Sequence, residues 1–78
     1  MTVANQTELG RFLYQCATDT EEILYVDGFS TARETVINEF AKNDLTKHLT
    51  RETVSLKLDE AEGGGAEAFT KAVMSFME

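Results

Sequence analysis

Cysteine and histidine, the residue types that most often carry chemistry, occur once each in this chain, as Cys16 and His48. One thiol and one imidazole do not make up a zinc site, and a lone cysteine cannot form an internal disulfide. Cys16 lies among the apolar residues Phe12, Leu13 and Ala17, with no base nearby that would activate it as a nucleophile. We therefore predict a buried structural thiol, and a protein that is not an enzyme and holds no metal or cofactor.

Carboxylates and glycines supply two further candidate sites, for a cation and for a phosphate group. The segment Asp59-Glu60-Ala61-Glu62 offers the oxygen ligands that calcium prefers, but its spacing matches no calcium loop. Gly63-Gly64-Gly65 can present backbone N–H groups to an anion at a helix start. The signature G-x-x-x-x-G-K-[ST] is missing, however, and Glu62 and Glu67 flank the triplet with the wrong charge. The sequence predicts a glycine-rich loop that leads into a helix.

The strongest compositional feature is negative charge, since 14 acids against 7 Lys and Arg give a formal net charge of −7 over 78 residues. Residues 1–32 hold five acids and one base, residues 33–57 four acids and five bases, and residues 58–78 five acids and one base. Such a field repels phosphate and attracts basic surfaces. Four acids of the last third crowd into nine residues, and they are our candidate protein-interaction surface: Asp59, Glu60, Glu62 and Glu67.

The length and the apolar runs restrict the organisation of the chain. Residues 1–78 are expected to form a single domain with a thin core, so a partner or a homodimer would be a source of further burial. The first residues lack the charged and apolar regions of a secretory signal, and the longest apolar run, Ile23 to Val26, is far below the ~20 residues of a membrane span. We expect a cytoplasmic protein with no membrane partner.

Hydrophobic periodicity predicts a mainly α, small single domain with helices near 7–17, 31–42 and 66–77. Thr7 is the predicted cap of the first helix, and Thr18-Asp19-Thr20 interrupts or restarts its pattern. Thr31 with Glu34 forms a capping-box pattern for the second helix, with Ser30 as the other candidate cap, and Asn43 is suited to a left-handed stop.

Two segments leave an α+β alternative open, because each reads as a strand or as a helix. Residues 23–26 suit a short buried strand or part of a helix over 20–27. Residues 53–58 alternate as a half-buried strand does, or continue a helix capped by Thr50. The predicted core comprises Leu9, Phe12, Leu13, Ile23, Leu24, Val36, Ile37, Phe40, Leu49, Val54, Leu58, Phe69, Val73 and Phe76.

The stretch LTKHLTRETVSLKL, residues 45–58, resembles the second and third helices of a helix-turn-helix DNA-binding domain. Thr50 stands where a capping Ser or Thr opens the recognition helix of that family, and Val54 and Leu58 stand where apolar residues hold it to the body. The helix after the glycines is similar to the one that follows in Cro-like repressors and some antitoxins, so the resemblance covers residues 45–77. It implies a major-groove surface made of Arg51, Glu52, Ser55 and Lys57.

Charge and size favour a different leading hypothesis, which is a non-catalytic acidic protein that binds a macromolecular partner stoichiometrically as an inhibitor or regulator. The expected partner is a basic protein surface or a nucleic-acid-binding protein, toward which carboxylates stand in for phosphates, as in inhibitors encoded by phages and mobile elements. The alternative is a helix-turn-helix transcriptional regulator, although net negative charge opposes DNA affinity. A structural subunit kept soluble by its acids is a third reading.

Overall fold

The computed structural model describes residues 3–77, with side chains from residue 7 onward, and these residues form a helical domain. Its elements are α1 (Val3–Asp27), α2 (Phe29–Lys42), α3 (Arg51–Asp59), α4 (Gly65–Met74) and a terminal 3-10 helix (Ser75–Met77). Residues 3–77 contain no strand, so the mainly α prediction is confirmed. The strand alternatives near 23–26 and 53–58 are wrong, since both segments are helical.

Helix α1 continues without a break through Thr18-Asp19-Thr20, where the sequence pattern was expected to stop or restart. Thr20 belongs to the buried face, and its hydroxyl donates to the carbonyl oxygen of Cys16 at 2.7 Å. A buried polar side chain is tolerated there because the helix's own backbone satisfies it. Thr7 is likewise inside α1, so the predicted cap is wrong. The 25 residues of α1 extend for about 37 Å at 1.5 Å per residue.

A single residue, Gly28, joins α1 to α2. Its φ of 99° and ψ of 170° lie in a region that only glycine adopts readily. The Gly28 N–H donates to the carbonyl oxygens of Ile23 at 3.1 Å and Leu24 at 3.2 Å, which closes the end of α1. The Gly28 carbonyl accepts from the Ala32 N–H at 3.2 Å, which opens α2. This glycine therefore ends one helix and starts the next.

The predicted capping box of α2 is wrong because the helix begins at Phe29, before Thr31 and Ser30. Thr31 uses its carbonyl as a helical acceptor, taking a hydrogen bond from the hydroxyl of Thr35 at 2.9 Å. Glu34 turns away from the helix start, and its carboxylate accepts from Arg51 on α3. The Glu34 carboxylate, which the capping-box pattern assigned to the helix start, forms the ion pair with Arg51 instead.

Phe40, which is 1% exposed, lies at the centre of the core. Its ring centroid is 5.8 Å from that of Phe12 on α1 and 5.3 Å from that of Phe76 in the terminal 3-10 helix. Its carbonyl accepts the hydroxyl of buried Thr46 at 2.7 Å and the N–H of Asn43 at 3.4 Å. Because Phe12 lies well before Gly28 and Phe40 well after it, α2 runs back along α1.

The predicted core agrees with the observed one. Eight of its residues are buried: Leu13, Val36, Ile37, Phe40, Val54, Leu58, Phe69 and Val73. The other six pack against them and are partly buried: Leu9, Phe12, Ile23, Leu24, Leu49 and Phe76. The prediction omitted small buried residues at helix contacts, namely Cys16, Ala17, Ala32, Ala61 and Ala72.

The segment between α2 and α3 is a series of turns over residues 43–49, so the helix that the resemblance implies there is not formed. Asn43 has an extended backbone, with φ −93° and ψ 134°, and the predicted left-handed stop is wrong. Its side-chain oxygen instead accepts from the Leu45 N–H at 2.8 Å. The predicted cap at Thr50 is confirmed, because its hydroxyl oxygen accepts from the Thr53 N–H at 3.1 Å.

The substitution Phe40→Ala is expected to lower the free energy of unfolding by about 3–5 kcal/mol, since it empties the space between three elements. Chemical denaturation followed by circular dichroism measures this change. The matched control is Tyr14→Ala, which truncates an aromatic side chain that is 64% exposed and should change stability by no more than about 0.5 kcal/mol. Equal unfolding midpoints for the two variants would contradict the central position of Phe40.

Candidate protein-binding surfaces

Two bases of the middle segment, Arg33 and Arg51, form a network of ion pairs between α2 and α3. Arg51 Nη2 donates to both carboxylate oxygens of Glu34, each at 2.8 Å. Arg33 Nε donates to Asp59 Oδ1 at 2.7 Å, and its Nη1 lies 3.4 Å from Glu34 Oε2. The guanidinium groups join residues that lie far apart in the sequence, so this network holds α3 against α2.

Two of the four acids in the predicted interaction surface have bases as neighbours within the chain. Asp59 accepts from Arg33, and Glu60 Oε1 lies 3.8 Å from Lys57 Nζ, one turn away on the sequence. Their charges are therefore partly neutralised, and Asp59 faces α2. The sequence could not show the Arg33–Asp59 pair, because the two residues lie 26 positions apart.

Glu62 and Glu67, the other two acids of that surface, are exposed and form no ion pair among residues 7–77. Glu67 lines an open groove between α1 and α4, the α1–α4 groove, together with Glu21, Tyr25 and Lys71. The structure thus places Glu67 in a groove with one acid of α1, Glu21, and one base of α4, Lys71, and places Asp59 beside a base of α2. The four predicted residues have separate surroundings.

The residues of the DNA-binding alternative lie on α3, as the resemblance implies. Arg51 and Glu52 are exposed, whereas Ser55 and Lys57 are half-buried. Both bases of this set have carboxylates close by, Glu34 for Arg51 and Glu60 for Lys57. The positive charge that would meet a phosphate backbone is therefore already partly neutralised within the domain.

The solvent side of α1 combines acids with large exposed aromatic groups. Tyr14 is 64% and Tyr25 71% exposed, and their spacing of eleven residues, about three helical turns, puts them on one side of the helix. Glu21 and Glu22 lie between them, are exposed, and have no ion-pair partner in the part of the chain with described side chains. We call Tyr14, Glu21, Glu22 and Tyr25 the α1 outer face. The sequence prediction missed it, although tyrosines outside the apolar stripe were a signal.

A deeper cavity of about 320 Å³, the α1–α2 cleft, lies between the first two helices. Its floor is formed by Phe12, Cys16 and Thr20, of which Cys16 and Thr20 are buried. The rest of its lining comes from Gln15, Asp19, Thr35 and Glu39. The cleft therefore has a largely apolar floor and two carboxylates in its wall.

The Cys16 thiol is buried in this floor, as the sequence predicted. Burial of the thiol, and after it the negative charges of Glu39 and Asp19, together raise the pKa of Cys16 from the ordinary value of 9.0 to about 12. The thiol is therefore protonated at neutral pH, which makes it a poor nucleophile. Glu39 and Asp19, the two acids whose charges raise this pKa, both line the cleft.

A metal site and a membrane-spanning helix are both absent from the described residues. No group of three or more His, Cys, Asp or Glu side chains there is arranged to hold a metal ion. None of the helices formed by those residues has the length and apolar character needed to cross a membrane.

No protein-family model matches this chain, and no curated protein or solved structure is significantly similar to it.

Alkylation of Cys16 by iodoacetamide at pH 8 is expected to be at least about a hundredfold slower in the native protein than in urea, because the thiolate is the reactive form. Asp19→Asn and Glu39→Gln should each speed the native reaction, since removing a nearby negative charge favours the thiolate. Glu22→Gln is the matched control and should not change the rate.

The same pKa difference predicts how stability depends on pH. The folded pKa of about 12 lies above the unfolded value of 9.0, so the contribution of Cys16 to stability is complete below pH 9 and is lost as the pH rises toward 12.

In the alkylation experiment, a native thiol that reacts as fast as the unfolded one would contradict the buried, protonated state of Cys16.

Proposed function

We propose that this protein is a non-catalytic binding protein that holds a basic surface of a macromolecular partner, as an inhibitor or regulator. The observation that carries the proposal is the division of its charges by the fold. Arg33, Arg51 and Lys57 have acids of the same chain beside them, whereas Glu21 and Glu22 on α1 have no ion pair among the described side chains. Helix α1 thus carries five exposed acids against one exposed base, Arg11, on a side that a partner can reach.

The proposed contact surface is the α1 outer face together with Glu67. Glu67 lies across the α1–α4 groove from Glu21 and Tyr25, so the acids of both helices border one surface. Of the interaction residues predicted from the sequence, Glu62 and Glu67 remain available, whereas Asp59 and Glu60 have bases beside them. The availability of Glu67 beside α1 supports a surface centred on the first helix.

The physical basis of binding would be electrostatic attraction followed by burial of tyrosine side chains. Complementary charge speeds the encounter and selects the orientation, and its effect falls as salt shortens the Debye length, which is about 10 Å at 0.1 M. Tyrosine supplies large contact area with a polar tip and is enriched in interfaces. Tyr14 and Tyr25 are exposed on the same side as the acids.

A nucleic-acid-binding protein is the partner class that this surface fits best, because rows of carboxylates can occupy a groove that normally holds phosphates. Inhibitors encoded by phages and mobile elements use this kind of mimicry, and a small acidic helical domain is suited to it. The protonated, buried state of Cys16 supports a role without covalent catalysis.

Affinity capture from the source cell tests the proposal with two variants that each remove two charges. Glu21→Gln/Glu22→Gln removes them from α1, and Glu62→Gln/Glu67→Gln removes them from the loop and α4. We expect a stoichiometric basic partner with the wild type, and an association rate that falls several-fold for each variant and as salt increases. Circular dichroism should show that both variants keep the fold.

A captured partner whose affinity and association rate are the same for the wild type and both variants would overturn the acidic-surface proposal. Capture of no stoichiometric partner at low salt would also contradict it.

A helix-turn-helix regulator is the second candidate, and the observation that favours it is α3 itself, a helix capped by Thr50 as the resemblance implies. The neutralised bases of α3 and the net charge oppose it, so we expect no specific duplex complex tighter than about 10⁻⁷ M at physiological salt, where specific regulators typically reach 10⁻⁸–10⁻¹¹ M. A gel shift that shows one, and that Arg51→Ala abolishes, would replace the acidic-surface proposal with this candidate.

A further inference from the structure

We infer that the α1–α2 cleft is the socket for an arginine side chain of the partner protein. This inference rests on the proposed function and gives it a specific anchor point. None of the cleft residues belongs to the interaction surface predicted from the sequence, which lay in the last third of the chain.

The shape of the cleft suits one side chain. Its volume of about 320 Å³ lies at the lower end of the ~300–1,000 Å³ of small-molecule sites. Phe12 and Cys16 give the floor an apolar character, and the half-buried ring of Phe12 remains reachable. The methylene stem of a long basic side chain can pack on such a floor while its charged head stays near the wall.

The charge of the cleft selects a cation. Asp19 from α1 and Glu39 from α2 are exposed, line the same cavity, and form no ion pair among residues 7–77. The two acids act on the same thiol from different helices, and both raise the pKa of Cys16. Gln15 donates to Asp19 Oδ1 at 3.0 Å, which steadies that carboxylate and leaves its other oxygen available.

Arginine fits this arrangement better than the other cations. Its guanidinium carries donors in a planar fork that can meet two carboxylates together, and it packs on aromatic rings. Lysine offers a strongly hydrated point charge, which gains less from an apolar floor. No cluster of three metal-ligating side chains exists in the described part of the chain, so a bound metal ion is a poorer match.

The position of the cleft connects it to the proposed surface. Asp19 lies one turn before Glu22 on α1, so a partner that covers the α1 outer face also covers the mouth of the cleft. Buried arginine and aromatic residues near the centre of an interface contribute most of its binding energy. The cleft would therefore supply specificity, whereas the outer face supplies attraction.

Titration with N-acetyl-arginine amide, followed by the amide NMR signals of the full chain, tests the socket without the partner. We expect shifts that saturate, restricted to residues 12–20 and 35–39. Asp19→Asn and Glu39→Gln should each weaken the affinity by about threefold to tenfold. Asp27→Asn removes an equal charge from an exposed position of α1 outside the cleft and the α1 outer face, and should leave the affinity unchanged within about twofold. N-acetyl-lysine amide should bind more weakly than the arginine probe.

Shifts spread over the acidic surface, or an equal loss of affinity in Asp27→Asn and Asp19→Asn, would overturn the inference. Equal affinity for the lysine probe would overturn the assignment to arginine. The outcomes are separable from those of the proposed function. A captured partner that depends on Glu21 and Glu22, with no saturable arginine site, refutes the cleft alone. A saturable site with no captured partner refutes the proposed function alone.

Discussion

The other elements depend on the packing of Phe40 against the first helix and the last one. Its ring meets Phe12 on α1 and Phe76 in the terminal 3-10 helix, and its carbonyl holds the hydroxyl of Thr46 in the turn before α3. One residue therefore ties together α1, α2, the chain end and the connection to α3. Together with the other buried side chains of the core and the ion pairs between α2 and α3, this contact region positions the surfaces on α1.

Part of this fold follows from the sequence, because apolar periodicity reports which side of a helix is buried. It located Phe40 and the helix after the glycines, and it left residues 53–58 open between a strand and the helix capped by Thr50 that forms. The predictions of where helices begin and end were wrong at several positions, because a local pattern cannot show which side chains will be used in tertiary contacts. Thr31 and Glu34 match the capping-box pattern in sequence. In the fold, α2 already begins after Gly28, and Glu34 accepts a hydrogen bond from Arg51. Thr20 looked like a breaker, but a buried threonine can donate to its own helix.

The candidate site was harder to predict for the same reason. Acids counted along the sequence gave the crowded run near Gly63 the highest density, yet the fold sets Arg33 against Asp59 across 26 positions. Conversely, Asp19 and Glu39 lie 20 positions apart and only the α1–α2 hairpin puts them into one cleft. Charge density in a sequence predicts how strongly a protein attracts bases. Which carboxylates remain available depends on the pairing that folding produces.

Folding neutralises the bases of α3 by placing carboxylates beside them, and it leaves the acids of α1 available to a partner. Amide-proton relaxation by a cationic and an anionic nitroxide probe measures this local potential directly along the chain. We expect strong enrichment of the cationic probe beside Tyr14 to Tyr25 and at the α1–α2 cleft, with little preference for either probe around Arg51 and Lys57. Enrichment of the anionic probe along α3, or an equal potential over all four helices, would contradict this expectation.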